Sequence, residues 1–340
     1  MIFKRMIKSA VYKINENPLG KIVYKNSIAK RADLPLTDIA PLSRPISMFA
    51  PFTEEIHKPN DWYGHANNLK TYLGLPRSYQ FKFIMEHGLY LNDQVEDLDI
   101  ETDLPSMITY STYRERILKK YRENVFSIGP FIHYAKSLLT EKEIIKEKMR
   151  LGKSVLFFPA HSTPVIGMEF DTAKLCRQIK KISKGFDNVR ICLYWKDILL
   201  GRQRIYADFG FECVTAGHML DPLFLPRLKS LILTSNFTAS NIISSHVGFC
   251  VYLGKPHVVL EEKLNMKTTQ FWKKRITDGF ESEGYLEVLE EFTKLNYKIS
   301  KKQTELMEKY WGTDKVRTKA QLKRIIYISE KIYQNKKHAS

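Results

Sequence analysis

The chain has 340 residues, 44% of them hydrophobic and 12% aromatic, with a formal net charge of +17. That length suffices for two domains of ordinary size, and that apolar content excludes a disordered chain. No stretch approaches the roughly 20 apolar residues that span a bilayer, and the start lacks the pattern of a secretory signal, so a cytoplasmic location is expected.

The positive charge is concentrated at the ends: residues 1–31 carry +7 and residues 301–340 carry another +7. Enzymes of nucleic acid line a groove with basic residues, so this distribution argues against a nucleic-acid partner. It suits an anionic membrane surface better. Cys176, Cys192, Cys213 and Cys250 form no CxxC pair and have no histidine at zinc-finger spacing. Buried free thiols are the expectation, with a metal or redox role as the alternative.

In chain order, Phe3, Met6, Ile7, Ala10, Val11 and Ile14 recur at helical spacing with Lys4, Arg5 and Lys8 off the stripe. The pattern predicts a basic amphipathic helix, lying either on a membrane or against its own domain. Residues 1–138 are expected to form a first domain with short buried strands at 81–85, 107–110 and 125–128. Within it, Trp62, Tyr63 and His65 combine aromatic and imidazole groups suited to a sugar-binding loop. The apolar run before Glu86-His87-Gly88 delivers a histidine followed by a glycine that admits a ligand closely. His87 is either a general base, with Glu86 beside it, or a hydrogen-bonded structural histidine. Asp97 and Asp99 have the spacing of a metal-binding carboxylate pair but lie in an acidic run that reads as a solvated loop.

The charged stretch 140–150 predicts a polar helix at a domain boundary. Beyond it, SVLFF (154–158), VRICLY (189–194), FECV (211–214), SLILT (230–234) and HVVL (257–260) read as strands, separated by helical stretches such as 171–184 and 202–208. That alternation predicts a parallel sheet over residues 151–300, whose ligands bind beyond the carboxyl ends of its strands. The residues found there are His161, Ser162 and Thr163, then Trp195 and Lys196, then Gly217 and His218, then Ser244, Ser245 and His246. Ser244 and Ser245 precede a helix closed by Gly254-Lys255-Pro256. A helix start of this kind attracts anions, so the serines either help to hold a phosphate or merely cap the helix.

This ordered series resembles GT-B glycosyltransferases. Tyr252-Leu253-Gly254-Lys255-Pro256 and the apolar run after it are similar to the end of their donor half. Glu86-His87-Gly88 is similar to the His-Gly of the acceptor half in capsule and teichoic-acid polymer transferases. The segments 159–163 (PAHST) and 244–246 (SSH) resemble phosphate-contacting motifs of sialyl- and Kdo-type transferases. No His-Pro pair is present and the acidic motif of some sialyltransferases has no match, departures that bear on sialyl transfer and leave the GT-B resemblance in place.

What the resemblance implies is an α/β fold of two Rossmann-like domains, with a C-terminal helical tail (301–340) crossing back to the first. Leu322, Ile325, Ile326, Ile328 and Ile332 would supply the apolar face of that tail. It implies a metal-independent transferase of bacterial surface polysaccharide synthesis, such as O-antigen or capsule, peripheral on the inner face of the cytoplasmic membrane. A nucleotide sugar would be the donor and a lipid-linked saccharide the acceptor, with no bound cofactor. Donor phosphate would contact His161, Ser162, Thr163, Ser244, Ser245 and His246. Trp195, Lys196, Gly217 and His218 would hold base and ribose. His87 and Glu86 would be catalytic, and Trp62, Tyr63, His65 and Gly88 would bind the acceptor. The alternatives are a nucleotide-sugar isomerase of the same fold and a polysaccharide-binding protein.

Overall fold

The computed structural model describes residues 18–46 and 55–339. The amphipathic stripe expected in residues 1–14 lies outside the described residues. The protein is a mixed α/β chain built on two parallel sheets, as the alternation of apolar runs and helices predicts.

The first sheet has three strands in sequential order, β1 (Phe83–Met85), β2 (Ser106–Thr109) and β3 (Asn124–Ser127), all parallel. Every residue of β1 and β2 is buried, which is why both read as continuous runs rather than alternating ones. The polar helix Glu141–Leu151 follows, opened by a capping box between Thr140 and Glu143. It leads into β4 (Ser154–Phe158), the central strand of a second sheet that also holds β6 (Asn188–Cys192), β7 (Glu212–Val214), β8 (Phe237–Ser240) and β9 (His257–Val259). The order is β7-β6-β4-β8-β9, all parallel. The chain winds outward from β4 to β7 and then returns to the other side, so the winding reverses between β4 and β8. Ligands of doubly wound sheets bind at that point. A separate antiparallel pair joins β5 (Gly167–Glu169) to β10 (Asn265–Lys267).

Two expectations fail here. Residues 230–234, read as a strand, lie in and just beyond the helix Phe224–Leu233. Leu225, Leu228, Leu231 and Ile232 bury one helical face. The Ser230 hydroxyl donates to the Pro226 carbonyl and the Thr234 hydroxyl to that of Ser230, so both hydroxyls are satisfied inside the helix. The strand that follows is Phe237–Ser240, whose Phe-Thr-Ala-Ser carries too little apolar signal to be found from sequence. Asp99, read as part of a solvated loop, is buried in the turn Asp97–Ile100, 3.3 Å from His57 Nε2.

One continuous hydrophobic core joins the sheets, taking Phe83, Ile108 and Tyr110 from the first side and Leu156, Phe158, Val247 and Phe249 from the second. Trp311 and Leu322 belong to the same core. The helix Lys319–Ala339 packs against the helix His65–Leu73, burying Leu322 and Ile325, so the tail does return to the first sheet. Residues 31–45 run the other way. The Thr215 and His218 amides donate to the Leu36 and Leu42 carbonyls, and Arg31 reaches the buried Asp221 at 3.3 Å. This part of the expected first domain is therefore held by the second sheet. Three of the four cysteines are buried, and all four are free.

Candidate functional site

The carboxyl ends of both sheets converge on a cavity of about 250 Å³. Residues beyond β1 (His87, Gly88) and β2 (Tyr110) form one wall. Residues beyond β4 (Pro159, His161), β6 (Tyr194) and β8 (Ser244, Ser245, His246) form the other. No lining residue is Asp, Glu, Lys or Arg, despite the strongly basic chain. Among the described residues no group of three or more His, Cys, Asp or Glu is arranged to hold a metal ion.

The first wall rests on β1 and the loop before it. Asn60 accepts from the Met85 amide at 2.8 Å and donates to the Phe83 carbonyl at 2.9 Å, standing in for a neighbouring strand at the sheet edge. The loop thereby stays fixed to the strand that delivers His87. Three residues on, Tyr63 adopts φ 55°, the left-handed region, and Gly64 follows at φ 72°. Tyr63 is the only non-glycine residue with positive φ among the described residues. Such a backbone costs on the order of 1–3 kcal/mol and persists where the surroundings dictate it. What dictates it here is ring placement. The Tyr63 ring stacks on His87 at 5.2 Å and 5°, while its hydroxyl meets that of Tyr194 from the opposite wall at 2.9 Å. Trp62 meets His87 edge to face at 4.5 Å, and His65 stacks on Phe131 at 4.5 Å.

Burial pushes the His87 imidazole down to about 4 and that of His65 to about 3, so both are neutral at pH 7. His87 Nδ1 is buried without a protein partner. The His87 ring lines the cavity, while this nitrogen is itself shielded from solvent. Glu86 turns away from the cavity. Its carboxylate takes two hydrogen bonds from the buried Arg114 guanidinium, at 2.6 and 2.9 Å, and one from the Thr109 hydroxyl.

The second wall is a helix start. The helix Ser245–Tyr252 begins directly after the connection from β8, and its N-cap Ser244 makes no side-chain capping bond. The Ser244 hydroxyl instead pairs with His246 Nδ1 at 2.6 Å. His246 stacks on Phe158 at 4.7 Å, and its Nε2 is also buried without a protein partner. Burial, with His257 and His161 nearby, holds His246 well below the ordinary imidazole range. His161 packs on Tyr194 at 4.2 Å and is pushed down to about 4 by burial. Amides, hydroxyls and neutral imidazoles gathered at a helix N-terminus suit an anion that brings its own charge.

Behind the helix, Trp311 donates from Nε1 to the Ser245 carbonyl at 3.1 Å, and a Cβ at Gly248 would fall on its indole ring. Trp311 ends a π-helical turn, Met307–Trp311, that also packs on the helix Thr112–Leu118 of the first sheet.

No protein-family model matches the chain, and no curated protein matches it in sequence. Among solved structures it is similar to the wall teichoic acid polymerase TagF, at 13% identity and a TM-score of 0.37, covering 69% of this chain and 58% of that one. A form of TagF with one histidine replaced by alanine gives 12% identity and a TM-score of 0.43, covering 76% and 68%. The chain thus spans somewhat over half the length of the first of these structures.

The cavity brings together Tyr63, His65, His87, Gly88, His161, Ser244, Ser245 and His246 of the residues singled out from sequence, with Trp62 in contact through His87. Others lie elsewhere. Ser162 and Thr163 turn into a neighbouring loop, where the Ser162 amide donates to buried Asp197 and the Thr163 hydroxyl accepts from the Ile166 amide. Trp195 and Lys196 open the helix Trp195–Leu199 and point away, with Trp195 packed on His218 at 4.2 Å. His218 and Gly217 are engaged with residues 31–45: the His218 amide is bonded to the Leu42 carbonyl, and a Cβ on Gly217 would press on that carbonyl and on the Arg227 guanidinium. None of these lines the cavity. Sequence reading missed Tyr194, Tyr110 and Phe158. Tyr194 ends the VRICLY run and Phe158 ends SVLFF, so both were absorbed into strands as apolar residues although each stands at a strand end.

Proposed function

We propose that the chain is a transferase of cell-surface polymer synthesis, moving a glycosyl group from a nucleotide-activated sugar to a hydroxyl of a lipid-linked saccharide. The observation that carries this reading is the pairing across one cavity of an uncapped helix start, Ser244–Ser245, with a neutral imidazole, His87, whose Nδ1 has no partner. Donor phosphate binds at the amides and hydroxyls of the second wall, with His161 and His246 beside it. His87 takes the proton of the acceptor hydroxyl as the new glycosidic bond forms and the bond to donor phosphate breaks. Stabilising the departing phosphate is the larger contribution, made by groups already oriented before the reaction. Tyr63, held by its strained backbone, keeps His87 in register, and Trp62, His65 and Gly88 border the acceptor.

The similarity to TagF, a wall teichoic acid polymerase, agrees in kind with this reading. The proposed reaction draws on no bound metal, so a chelator should leave turnover unchanged. The proposed place of work is the inner face of the cytoplasmic membrane, bound peripherally. Among the described residues no helix is long and apolar enough to cross a membrane.

A thermal-shift series with CMP, CDP, UDP and GDP tests the donor site, because a ligand that binds only the folded chain raises its stability. At least one nucleotide should raise the unfolding temperature. Ser244→Ala with Ser245→Ala should remove much of that shift, each lost bond to a charged group costing about 1.5–3 kcal/mol of affinity. Unchanged affinity in the double variant sinks the phosphate assignment.

A further inference from the structure

On the carboxyl-end side of both sheets, outside the residues that line the cavity, lies a helix with a half-exposed surface. Gln270–Phe280 has no buried residue, and its start is set locally by Thr269, whose hydroxyl accepts from the Trp272 amide. It is tethered at two places. Just before it, β10 pairs with β5, in the connection that leaves the carboxyl end of β4. Along it, Arg275 donates to the Glu96 carboxylate at 2.9 Å and to the Val95 carbonyl at 3.1 Å, and Gln94 donates to the Arg275 carbonyl at 2.9 Å. Residues 94–96 follow the segment of His87, Gly88 and Leu89 on the first wall. The helix therefore bridges the two walls on the carboxyl-end side of both sheets.

Its exposed surface has a definite chemistry. Phe271 is 64% exposed, and its ring meets Trp272 edge to face at 5.4 Å. Lys273 and Lys274 follow these rings directly and are exposed, while Lys267 and Arg275 are paired with Glu169 and Glu96. An exposed phenylalanine ring with a half-buried tryptophan against it, beside ammonium groups, suits the interface of an anionic bilayer, where rings sit among headgroups and lysines meet lipid phosphates.

We propose that Gln270–Phe280 is a docking element that seats the cavity side of the protein on an anionic lipid surface, with Phe271 and Trp272 entering the headgroup layer and Lys273 and Lys274 meeting lipid phosphates. The inference builds on the lipid-linked acceptor of the proposed function, since it places the cavity beside the surface from which such an acceptor arrives. It differs from attraction through the basic termini, because one helix and two rings carry it.

The test uses the full chain and vesicles of phosphatidylcholine, with and without phosphatidylglycerol. The wild-type chain should sediment with the anionic vesicles at low salt and be released as salt rises. The combined substitution Phe271→Ser, Lys273→Glu and Lys274→Glu should weaken that binding roughly tenfold or more, and it alters no buried side chain. Independently of any variant's folding, brominated phosphatidylglycerol should quench tryptophan fluorescence of the wild-type chain, and Trp272→Phe should abolish the quenching. Absence of binding at low salt, equal binding to neutral vesicles, or a triple variant that binds like the wild type overturns the proposal. The nucleotide thermal shift is recorded on the same samples. Its absence alongside intact, helix-dependent vesicle binding defeats the transferase reading and leaves the docking element standing.

Discussion

The two walls of the cavity present similar groups but hold them by opposite means. On the first wall, imidazoles are clamped by rings and braced by buried charge: Arg114 on Glu86 at 2.6 Å, Lys70 on Glu55 at 2.5 Å, and Asp99 beside His57 at 3.3 Å. On the second, hydroxyls and amides stand at a helix start held by apolar packing, with Trp311 seated against Gly248. A three-stranded sheet has little apolar area with which to fix a side chain, so directional ion pairs do the positioning there. Around the second wall the helix start is set by close packing, and the buried ion pair of that sheet, Arg227 on Asp221 at 2.9 Å, lies outside the cavity lining. The difference matches the division of labour proposed above, since a base must be aimed while an anion needs several preorganised donors.

The largest expected effect falls on both walls at once. Burial pushes His65 to about 3 and His87 and His161 to about 4, against about 6.5 for a free imidazole. The unfolded chain therefore binds more protons than the folded one between about pH 6.5 and about pH 4. The stability held by these neutral groups is complete above that window and declines as pH falls through it. The decline is up to about 1.4 kcal/mol per pH unit for each imidazole. Urea unfolding at a series of pH values checks this. A flat profile would mean that the imidazoles protonate in the folded state and that neither wall is dry.

The next two predictions separate the walls. His87→Ala should lower turnover by about 10²–10⁴-fold while leaving the nucleotide thermal shift intact, because donor binding is proposed for the other wall. Loss of both would join the walls into one binding unit, and normal turnover would remove His87 from the chemistry. Arg114→Met should destabilise the fold by about 3–5 kcal/mol, since Glu86 is left buried and unpaired. Adding Glu86→Gln should restore part of it, as read from denaturant midpoints. If the single variant costs no more than a surface substitution, the first wall does not depend on its ion pair.

The smallest effect probes the second wall. Gly248→Ala sets a methyl group against the Trp311 indole and should cost about 1–3 kcal/mol, together with a weaker nucleotide shift as the Ser245 turn is displaced. Unaltered nucleotide binding in a destabilised Gly248→Ala would separate the packing of this helix from its role in the site.

How far the sequence could be read depended on whether a residue's role is local. The strands β4, β6, β7 and β9 and the helices Glu141–Leu151 and Ser245–Tyr252 were legible because apolar period and caps act over a few neighbouring residues. His87, His161, Ser244 and Ser245 could be picked out by the rule that ligands meet strand ends. That rule selects a position along the chain and says nothing about which way the side chain turns. Tyr194 and Trp195 are adjacent, yet one lines the cavity and the other packs on His218. Glu86 and His87 are adjacent, yet Arg114, 28 residues on, draws the carboxylate away and leaves the imidazole at the wall.

The sequence by itself determined the alternating α/β character, the central strands of the second sheet, the helix that starts at the paired serines and the histidine placed after β1. Only the tertiary structure decided that residues 31–45 lie on the second sheet, that Phe237–Ser240 is the strand in place of residues 230–234, and that Tyr63 meets Tyr194 across the cavity. The reason is one of range. Periodicity and capping are written in residues a few positions apart, whereas a shared cavity and a buried ion pair depend on groups far apart in the chain that meet only once the core has closed.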